Sequence, residues 1–168
     1  MDRLIMGANW WIQEVNQRLR VERLQLPSLT REMTQMTPGG GWFSLDVPGE
    51  IKQLEAPFSL NGAHEDVRSL FGREPGDWTN FFYYERLRDI VNGRNLGRVV
   101  HLRGLLNEVE QPEVTGKKGE PAKYKVGTIV LYKDIVNGKT VHLFDVFNNK
   151  LVINGVNYTA EHNRLIAA

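Results

Sequence analysis

Residues 122–147 hold two β-rich runs joined by Asn137-Gly138, and this segment commits the chain to antiparallel sheet. Asn-Gly tolerates positive φ at both centres of a two-residue turn, so its flanks return on one another as a hairpin. On the first flank Tyr124, Val126, Thr128, Val130 and Tyr132 alternate with Lys123, Lys125, Gly127, Ile129, Leu131 and Lys133. That pattern predicts a strand solvated at its ends and buried on both faces in its middle. Residues 98–110 predict another strand. Residues 111–121, with prolines, glycines and the pair Lys117-Lys118, read as a solvent-facing connector.

Sixteen glycines in 168 residues, set between short β-branched and aromatic runs, extend the β reading to the whole chain. Over residues 78–89, Phe81 and Tyr83 fall on one face and Phe82 and Tyr84 on the other. This predicts a strand buried on both sides, its rings serving as core and not as a stacking platform for bases or sugars. One helix is expected over residues 63–71, where Ala63, Val67, Leu70 and Phe71 recur at helical spacing. Glu65 and Asp66 open it, Arg68 follows and Gly72 stands just past its end, so Leu70 and Phe71 are expected in the core. Residues 10–15 and 17–26 predict two strands closed by Pro27, with a bulge where the apolar phase slips between Val21 and Leu24.

The unusual segment is residues 28–50, a long connection without a clear period, of the kind that is functional or disordered in a compact domain. Thr34, Met36 and their neighbours on one side and Trp42-Phe43-Ser44-Leu45-Asp46 on the other can pair as an extended arm, its tip Pro38-Gly39-Gly40-Gly41. An isolated two-stranded arm is only marginally stable in water, so it needs a partner to lie on.

Enzyme chemistry finds no foothold. There is no cysteine, and His64, His101, His142 and His162 have no second metal-type ligand at a suitable spacing. Ser28, Ser44, Ser59 and Ser69 sit in no nucleophile motif, and the glycine run lacks the Lys-Ser/Thr of a phosphate loop. Glu55, Glu108 and Glu110 offer acid and base groups that nothing in the sequence brings together. A net charge of +1 removes the simplest argument for nucleic-acid binding. No apolar run approaches the length of a membrane span, and a cytosolic product without signal peptide or membrane segment is expected. What is left is a single antiparallel β domain over residues 1–168, with one flanking helix, a long arm and sheet edges that self-assembly would cover. A carbohydrate-binding β-sandwich, with Trp10, Trp11, Trp42 and Trp78 as exposed sugar platforms, is the reading from a different class.

Several stretches, in order, carry a family resemblance: Leu26-Pro27-Ser28-Leu29-Thr30, Gly39-Gly40-Gly41, Phe58-Ser59-Leu60-Asn61-Gly62-Ala63, Leu102-Arg103-Gly104-Leu105-Leu106-Asn107-Glu108-Val109, Tyr132-Lys133 before Asn137-Gly138, and Val152-Ile153-Asn154-Gly155-Val156-Asn157. From about residue 10 onward the chain resembles the major tail tube protein of contractile-tailed bacteriophages and R-type pyocins. It departs at Asn157, where the family usually has an acidic residue, and at Glu14-Val15-Asn16-Gln17, where the first hairpin lacks the family's glycine turn. The resemblance implies a β-sandwich or barrel of the tail tube type, whose subunits form hexameric rings stacked into a hollow tube. It implies no cofactor and no catalysis. It implies as partners other copies of the chain, a sheath protein, a tape measure protein in the lumen, a baseplate hub, a tail terminator and transiently phage DNA. The place implied is the virion tail, assembled in the host bacterial cytoplasm. The function implied is the inner tube of a contractile tail, as the conduit for DNA ejection or the rod of a pyocin-like particle, and a type VI secretion tube or another extracellular contractile system is the alternative within the fold. On this reading Thr34, Met36, Pro38, Gly39, Gly40, Gly41 and Trp42 form an inter-subunit arm, and the helix turns Glu65, Asp66 and Arg68 toward the sheath. A DNA conduit is expected to line its lumen with acidic and neutral side chains, because cationic ones hold phosphate. Gln53, Glu55 and Ser59 oppose the apolar set Leu54, Ala56, Phe58 and Leu60 and are the lumen candidates, with Glu22 and Asp46 expected from neighbouring strands.

Overall fold

The computed structural model describes residues 2–117 and 120–168, so Lys118 of the connector's lysine pair lies outside the described residues. In chain order the elements are β1 (Arg3–Ile12), β2 (Val15–Asn16), β3 (Val21–Leu24), β4 (Arg31–Met36), β5 (Leu45–Ile51), β6 (Ala56–Asn61) and α1 (Glu65–Arg68). There follow β7 (Thr79–Asp89), β8 (Asn95–Glu110), β9 (Pro121–Val136), β10 (Lys139–Asp145), β11 (Lys150–Ile153), β12 (Val156–Asn157) and α2 (Ala160–Leu165). Every pairing between these strands is antiparallel. Asn137 (φ 49) and Gly138 (φ 80) form the expected tight turn between β9 and β10.

The main sheet runs β12-β11-β10-β9-β8-β7-β1-β2, and β3-β6 joins it along β9. One edge of β9 is shared: its first half pairs β6 and its second half pairs β10, while β8 follows the opposite edge. Between the halves the β8–β9 register jumps from Arg103↔Leu131 to Leu105↔Gly127, and Thr128 takes a φ of 47. A Cβ on Gly104 would stand 2.7 Å from the Gly127 carbonyl oxygen, so only glycine lets the strands approach at this corner. The corner folds the sheet over on itself. Trp10 of β1 packs on Phe58 of β6 at 5.5 Å although their strands do not pair, and Phe81 and Tyr124 complete the stack at 5.5 and 5.1 Å. Leu60, Val100, Leu102 and Val126 fill the same core.

Several expectations are corrected. The helix over residues 63–71 shrinks to the single turn α1, and α2 adds a second short helix. Gly72 does follow with φ 93, and Val67 and Leu70 are buried, but Phe71 is 54% exposed because α1 ends at Arg68, before a second turn could carry Phe71 round to the face of Val67. Only one face of β7 is core: Phe81 and Tyr83 are buried, Phe82 is half-buried and Tyr84 exposed. The first hairpin turns at Gln13-Glu14, with Ile12 opposite Val15 and Gln13 at φ 55, and β1 starts at Arg3, well before residue 10. The bulge sits where the apolar phase slips, between Val21 and Arg23.

Candidate assembly interface

β4 and β5 form a sheet of their own, paired from Arg31↔Ile51 to Met36↔Leu45 with a register shift between Arg31 and Met33. The Arg31 guanidinium donates two hydrogen bonds to the Gly49 carbonyl, at 3.0 and 2.9 Å, and clasps the base of the arm. Lys52 meets Glu32 at 3.6 Å. Thr34 and Met36 lie on β4; residues 37–44 form the tip, so Trp42, Phe43 and Ser44 join Pro38, Gly39, Gly40 and Gly41 there and do not pair. The Gly41 N–H closes the turn on the Pro38 carbonyl at 2.9 Å. Every residue from 28 to 53 is exposed, Trp42 at 95% and Phe43 at 85%. Met33, Met36, Leu45 and Val47 add to an apolar surface that one chain leaves in water. Surfaces of this kind mark interaction sites.

A second open surface is the outer edge of β1. Its inner edge pairs β7 from Arg3↔Asp89 to Ile12↔Phe81, whereas β2 covers only Trp11 and Ile12. Among the described residues nothing else pairs with this edge, so residues 3–9 present free backbone donors and acceptors beside the exposed Leu4, Ile5 and Met6, and the Trp10 carbonyl accepts from the Gln17 N–H at 2.9 Å. Such an edge is a template for another strand.

The two outward sheet faces differ in charge. Alternation along β7, the first half of β8 and the second half of β9 places Arg86, Arg103 and Lys133 on one of them, and among the described residues these stretches put no carboxylate there. The face over β3, β6, the first half of β9 and the second half of β8 holds Glu22, Glu55, Glu108 and Glu110 with Arg23, Lys123 and Lys125. Lys125 lies 3.6 Å from both Glu55 and Glu108. Gln53 and Glu55 are exposed, and Leu54, Ala56, Phe58 and Leu60 are buried behind them. Ser59 shares the outward phase yet is buried, because Glu22 lies over it and accepts its hydroxyl at 3.2 Å. Asp46 belongs to the arm and has no strand of this face beside it. On α1, Glu65 is exposed, Asp66 is bound by Arg20 at 2.8 Å and Arg68 donates to Gln111 at 3.4 Å. Burial pushes the Asp66 carboxyl up, but the hydrogen bond and charge of Arg20 more than offset it and leave it below its ordinary value.

At one end of the core lies a polar network that the sequence reading missed. Arg98 grips Asp134 through two hydrogen bonds of 3.1 and 2.8 Å and faces Glu85 at 3.8 Å, and the Tyr83 hydroxyl donates to Glu85. Glu85 and Asp134 are buried. The hydrogen bond to Asp134 raises the Arg98 pKa, and burial together with Glu85 raises that of Tyr83. The available signal was three charged residues falling in the apolar phase of their strands. On the opposite face His101 stacks on Phe82 at 4.5 Å; burial, then the charges of Arg103 and Lys133, lower its pKa.

Among the described residues no group of three His, Asp or Glu side chains could hold a metal ion, and no helix is long and apolar enough to cross a membrane. The sugar-platform set also disperses: Trp10 is buried, Trp11 half-buried, Trp78 packs on Phe147 at 5.7 Å, and only Trp42 stands free. An antiparallel β fold that leaves an apolar arm and an open strand edge in water defines a self-assembling structural subunit. The chain belongs to the family of the phage tail tube protein FII, whose model matches residues 2–166. It is a structural tail tube subunit, a component of the virion tail that assembles with its own copies into a tube. No curated protein matches the chain.

Proposed function

We propose that this subunit builds the inner tube of a contractile tail, as hexameric rings stacked head to tail around a channel that conducts DNA at ejection. The observation that carries the reading is the arm: twenty-six consecutive exposed residues, apolar at the tip, on a chain of the tail tube family. Contacts between unlike surfaces propagate, as a tube requires, where two-fold contacts would stop at a dimer. The arm residues Thr34, Met36, Pro38, Gly39, Gly40, Gly41 and Trp42 bridge subunits, and the open edge of β1 pairs within the assembly. Gln53, Glu55 and Glu22 line the lumen, where carboxylates repel the DNA phosphates. Glu65, Asp66 and Arg68 of α1 face the sheath. The tape measure protein fills the lumen before DNA, and the baseplate hub and tail terminator cap the ends. No catalytic step belongs to this role.

Negative-stain electron microscopy of the purified protein tests the reading. Rings or tubes are expected, and co-expression with the sheath protein is expected to give sheathed tubes. Monodisperse monomers at high concentration would overturn it, and tubes that never recruit a sheath would overturn the contractile part alone.

A further inference from the structure

A cleft of about 700 Å³ opens where the base of the arm stands over the β9–β10–β11 sheet. Leu29 and Leu54 wall it on the arm side, and Tyr132, Phe144, Leu151 and Ile153 form its floor. These floor residues share one face by register, since Tyr132 pairs Phe144 and Phe144 pairs Leu151. The floor continues the core's apolar face past the point where the other layer covers it. An apolar cleft of this size suits one or two aromatic rings.

The same chain carries two rings with nowhere to go. Trp42 and Phe43 are the most exposed aromatic side chains in the structure, and each could bury about 150–250 Å². Their own cleft is out of reach: Arg31 lines it, and β4 then carries the chain six residues away, roughly 20 Å at about 3.3 Å per residue. Charge supports the match. Asp46 is the sole charged residue between positions 33 and 49, and Lys150 on the cleft rim, which stands across the ladder from Asp145, makes no ion pair within 4 Å among the described residues.

We infer that the cleft receives the Trp42–Phe43 tip of a second copy's arm, with Asp46 of that arm meeting Lys150 at the rim. Tip and cleft are different surfaces, so the contact repeats head to tail and never closes on a two-fold axis. The inference rests on self-assembly of the chain and adds to it the seat of the arm.

Because the chain has no cysteine, single-cysteine variants report the contact cleanly. Phe43→Cys and Leu151→Cys proteins are mixed, allowed to assemble and treated with a short bismaleimide. A subunit-to-subunit cross-link is expected in the mixture and in neither variant alone. Trp42→Ala/Phe43→Ala is expected to keep the wild-type circular dichroism and melting while losing at least tenfold in assembled fraction. Lys150→Glu is expected to weaken assembly and Asp46→Lys in the same chain to restore it. Assembled material without the cross-link overturns the assignment whatever the truncations do, and so does undiminished assembly of the double alanine variant. A wild-type protein that stays monomeric overturns self-assembly itself, which separates the two failures.

Discussion

Arg98, half-buried, sits where a strand pattern calls for an apolar side chain, and its two carboxylate neighbours are buried. Removing one member of such a network leaves the others charged and unpaired, which costs about 3–5 kcal/mol. Arg98→Ala is therefore expected to lower the unfolding free energy by that amount in urea titration, and Tyr83→Phe by less, about 1.5–3 kcal/mol, the net worth of one hydrogen bond to a charged group. Equal effects would mean that the ion pair is not the centre of the network. His101 gives the pH dependence. Its ring is held neutral in the folded chain, below the ordinary value of 6.5, by burial and by Arg103 and Lys133. The unfolded chain then binds the proton first, so the stability His101 contributes is complete above 6.5 and is lost as pH falls through the folded pKa. Melting temperature should fall on acidification from neutral pH, and His101→Phe, which keeps a ring against Phe82, should flatten that slope. A slope unchanged in the variant would assign the effect elsewhere.

At the scale of elements the corner in β8 and β9 is the part most sensitive to a single methyl. Gly104→Ala drives a Cβ to 2.7 Å from a backbone oxygen, which only a shift of the strands relieves. Gly127→Ala meets the Asn107 amide nitrogen, the end of a side chain that can swing away at the expense of its 3.1 Å hydrogen bond to Thr128. Differential scanning calorimetry should rank Gly104→Ala well below Gly127→Ala, and the reverse order would place the bend elsewhere. Just past α1, Leu70→Ala should cost about 2–5 kcal/mol and Phe71→Ala less than about 1 kcal/mol, following their burial. The contrast shows what was legible. Asn137-Gly138 announces its hairpin because turn chemistry is local, and the alternation of Leu54, Ala56, Phe58 and Leu60 is intact in the structure. Phe71 was misplaced because helical spacing says nothing about where a helix ends. Ser59 and Tyr84 were misplaced because what covers a strand face comes from chain far away, Glu22 over the one and solvent over the other. The arm was visible as a segment without a period, while its cleft, assembled from residues 29 to 159, had no contiguous trace.

On the scale of the assembled tube, the arm and the channel make separate demands. Ordering a segment costs roughly 1–2 kcal/mol per residue in backbone entropy, and a solvated two-stranded arm recovers little of it by itself. Amides of residues 34–42 should accordingly exchange quickly in the monomer and slowly in the tube, and equal protection in both states would count against an arm that orders on assembly. Channel lining is a question of sign. Glu55 stands on the sheet face that carries four carboxylates against three cations, Arg23, Lys123 and Lys125, whereas the stretches of β7, β8 and β9 on the other outward face offer Arg86, Arg103 and Lys133 without a carboxylate among the described residues. A DNA conduit gains nothing from a wall that binds phosphate, since each cationic contact adds salt-dependent affinity and so drag. If the tube is built of the proposed rings with Glu55 in the lumen, Glu55→Lys places cations at one height around each ring and also turns its contact with Lys125 repulsive. Assembly should survive, because Glu55 is exposed and its ion pair is worth little. DNA ejection should slow, and more at low salt than at high salt, because screening shortens the reach of the new charges to about 10 Å at 0.1 M. The measurement is the rate of DNA release from variant particles across a salt series, with Glu55→Gln as the neutral control. Normal release of the lysine variant at low salt would put Glu55 on the outside of the tube and turn the basic face toward the channel.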